Sequence, residues 1–164
     1  QLVLLWPYTV NHFLMTGAAR AAVQVLESAG YVVAIPSMPL CCGRPLYDSG
    51  MLTTAKKVWN RTLEGLRPYI RDGIPVVGLE PSCVAAFRDE LLGLFPTNDA
   101  AQRLAKQTFL LREFLDREGY KPPPLPRLAP VPGACHHKSV LGVQTDLSIL
   151  AKLLIDAQVP IPRF

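Results

Sequence analysis

The chain has 164 residues, of which 49% are apolar and 18% charged, and a net charge of +4. This length and composition exclude a disordered tail and suffice for one domain with its own core. The basic excess is small and scattered, with Lys56-Lys57 the one pair resembling a cluster, so the charge does not point to a nucleic-acid partner.

Leu2 to Trp6 is a short apolar run that predicts a buried strand, ended by Pro7. A polar loop with Thr9, Asn11 and His12 follows. Ala18 to Ala29 reads as a helix with Ala19, Ala22, Val23 and Leu26 on one face and Gly30 as its cap. Tyr31 to Ile35 is β-branched and apolar, a second buried strand, and Pro36 and Pro39 stiffen the connection that follows. Strand, helix, strand over this distance is the βαβ pattern of a parallel sheet, whose ligands gather at the carboxyl ends of strands. Cys41-Cys42-Gly43 follows the second strand and so belongs at that edge. On an extended backbone the two thiols would point apart, but a tight turn at Gly43 brings both sulfurs to one side. Thiolates there suit zinc, copper(I) or an iron–sulfur cluster, while the plainer alternative is two small buried apolar side chains.

Leu52 to Ile70 carries an apolar stripe of Leu52, Ala55, Trp59, Leu63, Leu66 and Ile70, which predicts one helix ended at Asp72-Gly73. Ile74 to Leu79 reads as a third strand and Val84 to Phe95 as the next helix. Between them, Glu80-Pro81-Ser82-Cys83 sets Cys83 near a helix N-terminus, where the macrodipole favours a thiolate. Asp99 to Glu118 reads as a further helix, capped by Thr97 or Asn98 and closed by Gly119. The prolines of 121–127 make a stiff linker. Leu128 to Val131 predicts a short strand, Gly133-Ala134-Cys135-His136-His137-Lys138 a polar loop, Val140 to Ala157 a long amphipathic helix, and Val159 to Pro162 a closing strand. Arg44 and Asp48 either pair with each other or meet a partner, and Trp6 and Trp59 fit core packing.

Four cysteines in a chain of this length, two of them adjacent and with no secretory signal, read as reduced thiols of a reducing, cytoplasmic compartment. The most apolar run, Leu147 to Ile155, is interrupted by Lys152 and falls short of the ~20 residues that span a bilayer. Gln1 and the stop at Phe164 read as the ends of a piece of a larger polypeptide. An offset of 126 residues sets Ile35 on Ile161 and Thr9 on Cys135, and puts the counterpart of Cys41 three positions past Phe164. That order suggests two related βαβ modules, the second incomplete.

Cys41-Cys42-Gly43, then Cys83, then Cys135-His136-His137-Lys138 resemble the cysteine-rich CCG domain. That domain occurs in heterodisulfide reductase B subunits, glycolate oxidase iron–sulfur subunits and anaerobic glycerol-3-phosphate dehydrogenase. The longer string Cys-Cys-Gly-Arg-Pro-Leu-Tyr-Asp-Ser-Gly (41–50), with Leu79-Glu80-Pro81-Ser82-Cys83, is similar to the C-terminal region of fused FAD and iron–sulfur oxidases of the D-lactate dehydrogenase type. The resemblance implies a first module over 1–120, a linker over 121–127 and the start of a second module over 128–164. It implies that Cys41 and Cys42 are ligands, that Cys83 is the last cysteine of a Cys-x-x-Cys with Glu80 in place of the first, and that Thr9 stands where the leading cysteine would be. Cys135 would lead the second module. Of His136 and His137, at most one would be a further ligand, the other orienting a carboxylate or capping the helix from Val140. Three thiols in the first half fall short of a five-cysteine noncubane cluster; with Glu80, His12 or water they could hold zinc or a smaller iron site.

The function implied is an iron–sulfur or zinc module of an FAD-linked oxidoreductase. The parent would oxidise a D-2-hydroxy acid, of the D-lactate or glycolate type, and pass electrons to a quinone or cytochrome. The flavin and ferredoxin-like regions would lie elsewhere in that parent, since this chain has neither a Gly-x-Gly-x-x-Gly after a strand nor a Cys-x-x-Cys-x-x-Cys run. The parent would be cytoplasmic or peripheral on the inner face of the membrane, and this chain alone would be folded, inactive and metal-poor. Two alternatives stand beside this reading. One is a structural or zinc-stabilised interaction domain without redox role; the other is a thiol enzyme with Cys83 as nucleophile and a histidine as base.

Overall fold

A computed structural model describes residues 1–7 and 16–121. The chain divides into two compact units, Gln1–Leu111 and Arg112–Phe164.

The first unit is an α/β layer structure around a four-stranded, wholly parallel sheet, as its βαβ pattern predicts. Strand β1 (Leu2–Trp6) is followed by helix α1 (Thr16–Ser28) and strand β2 (Val32–Ala34). Gly30, at φ 88°, closes α1: its N–H bonds the Glu27 carbonyl and the Tyr31 N–H bonds that of Leu26. Helices α2 (Arg44–Asp48), α3 (Leu52–Gly65) and α4 (Arg67–Arg71) lead to β3 (Val76–Gly78). Helices α5 (Pro81–Arg88), α6 (Glu90–Leu94) and α7 (Asp99–Gln107) lead to β4 (Thr108–Leu110).

The strand order is β2-β1-β3-β4, with Leu4 opposite both Ala34 and Val76. The order therefore reverses between β1 and β3, the kind of switch point at which parallel sheets leave a crevice at the carboxyl ends of their strands. The central strands are apolar on both faces, as a covered parallel sheet requires: Val3 to Trp6, Val76 and Val77 are all buried. Around them lie Trp59, Leu66, Phe87 and Leu91, and the Trp6 and Phe87 rings meet edge to face at 4.9 Å.

The structure corrects four predicted elements. The second strand, expected to be buried over 31–35, is β2 at the sheet edge, where one flank has no neighbouring strand among the described residues and Val32 is 65% exposed. The single helix expected over 52–70 is two, because Pro68, in the first turn of α4, has no N–H for the carbonyl a turn earlier. The helix expected over 84–95 begins at Pro81 and is interrupted at Asp89, whose backbone (φ −123°, ψ −72°) leaves the helical region. The helix expected over 99–118 contains β4: Thr108, Phe109 and Leu110 pair with Val76, Val77 and Gly78, so sheet formation overrides the helical pattern. Helix α7 is capped by the Asn98 side chain, which accepts from the Ala101 N–H at 3.0 Å.

Helix α8 (Leu111–Arg117) leads into the second unit and closes at Gly119, φ 69°. The linker over 121–127 beyond Lys121, and the strands and helix expected over 128–164, lie outside the described residues. Among those described, no helix is long and apolar enough to cross a membrane.

Candidate functional site: a three-thiol cluster

Two segments that follow strands converge at the carboxyl edge of the sheet. The first is the turn after β2. Gly43 sits at φ 73°, in the left-handed region, and starts α2 with Pro45 in its first turn. A Cβ at Gly43 would overlap the Trp59 indole, so both the backbone angle and the space demand glycine. Helix α3 grips this turn through two carbonyls. Trp59 Nε1 donates to the Cys42 carbonyl at 2.5 Å and Thr62 Oγ1 to the Cys41 carbonyl at 3.0 Å. Both donors are buried and stand one turn apart on the same helix face.

With its carbonyls held by α3, the dipeptide presents its sulfurs elsewhere. The Gly43 N–H points at Cys41 Sγ, 3.4 Å away, and the Arg44 N–H stabilises the Cys42 sulfur. Arg44 also ties the turn to the α5–α6 junction: its guanidinium bonds Asp48 at 2.8 Å and Glu90 at 2.5 Å. The Arg44 and Glu90 side chains are only 14% and 10% exposed, so this is a largely desolvated pair rather than a surface one.

The second segment is the start of α5, directly after β3. Glu80 is the N-cap; its Oε1 accepts from the Ser82 N–H at 3.4 Å and the Ser82 hydroxyl at 3.1 Å. Gly78 lets α5 settle against the end of β3, since a Cβ there would come within 2.5 Å of Val84 Cγ2. Cys83 is thereby carried in the first turn of α5, 1% exposed.

The two segments meet sulfur to sulfur. Cys42 and Cys83 share a hydrogen bond with Sγ atoms 2.9 Å apart, both inside the core cluster, and neither is in a disulfide. Cys41 is half-buried beside Cys42 in the turn. Its thiol is pushed far above the ordinary range by the neighbouring Cys42 thiol and then by burial. For Cys42 the Cys41 thiol pulls downward, while the contact with Cys83 and burial outweigh it and push the thiol up to about 12. Cys42 and Cys83 are thus in sulfur contact, with Cys41 beside Cys42 in the same turn.

Of the residues singled out in the sequence, Cys41, Cys42 and Cys83 come together, and Arg44 and Asp48 pair. Glu80 lies at the same helix start but is engaged as its cap. Cys135, His136, His137, Thr9 and His12 lie outside the described residues. Among those described, no group of three or more His, Cys, Asp or Glu is arranged to hold a metal ion. Sequence reasoning missed Trp59 and Thr62 as clamps of the turn. The signal that could have found them is their i, i+3 spacing together with the partner a buried indole N–H requires.

Comparison with known proteins finds similarity to Lactate utilization protein A of several bacilli. That of Bacillus subtilis (strain 168) is 36% identical over 104 residues, covering 61% of this chain and 42% of the relative. Its counterpart in Bacillus velezensis is 33% identical over 141 residues, 80% of this chain and 56% of the relative. The one in Bacillus cereus (strain B4264) is 28% identical over 142 residues, 82% and 57% of the two chains. The chain thus spans about half the length of the curated relatives it matches. No protein-family model and no solved structure matches. The likeness extends over most of the chain, and the proteins that share it are named for lactate utilization.

Proposed function

We propose that this chain is the cysteine-rich part of a lactate-oxidising system and that Cys42 and Cys83, with Cys41 moving to join them, hold an iron–sulfur cluster or a zinc ion. The observation that carries the reading is the Cys42–Cys83 contact, 2.9 Å between sulfurs brought from segments 41 residues apart. Two thiolates on one tetrahedral metal stand roughly 3.7 Å apart, given metal–sulfur bonds of about 2.3 Å, so the pair fits with less than an ångström of opening. Backbone N–H groups already face the Cys41 and Cys42 sulfurs, the kind of second-shell donation that tunes a thiolate site.

In this reading Cys41, Cys42 and Cys83 are ligands of the first module, over 1–120. Glu80 serves as the α5 cap, both of its bonds to Ser82 being made through Oε1. Cys135, with at most one of His136 and His137, is a ligand of the second module in this reading. The group, when bound, supplies one-electron transfer if iron and a cross-link if zinc. The chain's own residues orient the thiols, exclude water from Cys42 and Cys83, and release protons as ligands form. The parent system would be FAD-linked, act on D-lactate or a related D-2-hydroxy acid such as glycolate, and deliver electrons to a quinone or cytochrome.

The relatives' name and the clustered thiols both support this reading. A thiol enzyme built on Cys83 is less well supported, because that side chain is 1% exposed with its sulfur against Cys42. Anaerobic reconstitution with iron and sulfide is the test. The chain as isolated is expected to carry little metal; after reconstitution, bound iron and sulfide with visible absorption that bleaches on reduction, lost in Cys42→Ser and Cys83→Ser, is expected. Tight zinc without any redox-active iron would overturn the electron-transfer reading in favour of a zinc-stabilised interaction domain.

A further inference from the structure

The thiols of Cys41, Cys42 and Cys83 have a second chemistry that needs no metal. We propose that Cys42 and Cys83 are a redox pair that closes to a disulfide when the site carries no metal, with Cys41 as the thiol through which a small disulfide oxidant acts. The case rests on placement. The Cys42 and Cys83 sulfurs are 2.9 Å apart and need move less than an ångström to reach the roughly 2.05 Å of a disulfide bond. They are 5% and 1% exposed, so a dissolved oxidant cannot reach them directly. Cys41 is half-buried and adjacent to Cys42 in the same turn, which places a partly accessible thiol next to the buried pair.

The oxidant is a low-molecular-weight disulfide, and each step is a thiol–disulfide exchange. Cys41, through the thiolate fraction that grows as pH rises, attacks it, forming a mixed disulfide and releasing one small thiol. Cys42 attacks the Cys41 sulfur and expels the second small thiol, leaving a Cys41–Cys42 bond between neighbours. That bond is strained by its short span and is therefore easily displaced. Cys83 then attacks the Cys42 sulfur and returns Cys41 as a free thiol. In sum, Cys42 and Cys83 lose two electrons and two protons, and the oxidant is reduced to two small thiols. The bond would join the turn after β2 to the start of α5, at the carboxyl edge of the sheet.

This inference does not depend on metal binding and fails separately from it. The test uses the metal-free, fully reduced chain exposed to oxidised glutathione, trapped with an alkylating agent, digested and mapped by mass spectrometry. The expected result is a loss of two of the four thiols, a Cys42–Cys83 cross-link and an alkylated Cys41. Cys41→Ser should form the same cross-link several-fold more slowly, with unchanged far-UV circular dichroism. A stable Cys41 adduct with glutathione, a final Cys41–Cys42 or Cys41–Cys83 bond, or a bond to Cys135 would each overturn the proposal. An undiminished rate in Cys41→Ser would overturn the access route. The native chain's peptide map decides the pairing even where a variant does not fold. Iron uptake, measured on the same reduced sample, scores the metal reading independently.

Discussion

The two halves of the thiol cluster are held in place by opposite means. The Cys41–Cys42 turn is short, irregular and fixed from a distance: a left-handed glycine, an indole and a threonine on α3, and an arginine reaching Glu90. Cys83 is fixed locally, by the cap and strand contact that set the start of α5. A turn of this kind has no ladder to define it, so each clamp matters and none can be replaced by its neighbours. A helix start is over-determined by its own hydrogen bonds and tolerates the loss of one.

That contrast orders the expected effects of substitution. Gly43→Ala is the most severe, because it combines a positive φ with overlap of the Trp59 ring; overpacking costs about 1–3 kcal/mol and the left-handed angle about 1–2 more. Chemical denaturation of the metal-free chain should show a loss near the top of that sum. Trp59→Phe keeps most of the apolar contact but leaves the Cys42 carbonyl without its indole donor, a buried loss of about 1–3 kcal/mol. The variant should also free the turn, seen as faster alkylation of Cys41. On the other arm, Gly78→Ala should cost about 1–3 kcal/mol by pushing Val84 away from the strand end. Adding Val84→Ala should restore part of that loss, since the overlap is with the Val84 side chain; no recovery would mean that the tight strand–helix approach is not what positions Cys83. Glu80→Ala is the mildest, about 0.5–2 kcal/mol for a lost cap, with Cys42–Cys83 proximity retained. If Glu80→Ala proved more damaging than Trp59→Phe, the contrast between the two arms would be reversed.

The same contrast explains what was readable in the sequence. The β1–α1–β2 unit was legible because an apolar run, a helical stripe, a glycine cap and a β-branched run all agree in order. The placement of Cys42 and Cys83 at one edge was legible too, since both follow parallel strands. The Pro68 break needed only the missing N–H to be applied inside a strong apolar stripe. Strand β4 was hidden because Leu104, Thr108 and Leu111 continue a helical spacing, and only pairing with β3 reveals the strand. The clamps on the turn were hidden for a different reason. They join side chains of α3 to backbone carbonyls 17 and 21 residues earlier, so the i, i+3 spacing marks the donors but not which carbonyls they meet.

Cobalt(II) titration of the reduced chain, followed at the sulfur-to-metal charge-transfer absorption, tests the shared thiol site most directly. A saturable band is predicted, strengthening as pH rises because Cys41 and Cys42 hold their protons well above the ordinary thiol range, and collapsing in both Cys42→Ser and Cys83→Ser. A band of full intensity in either variant would contradict it.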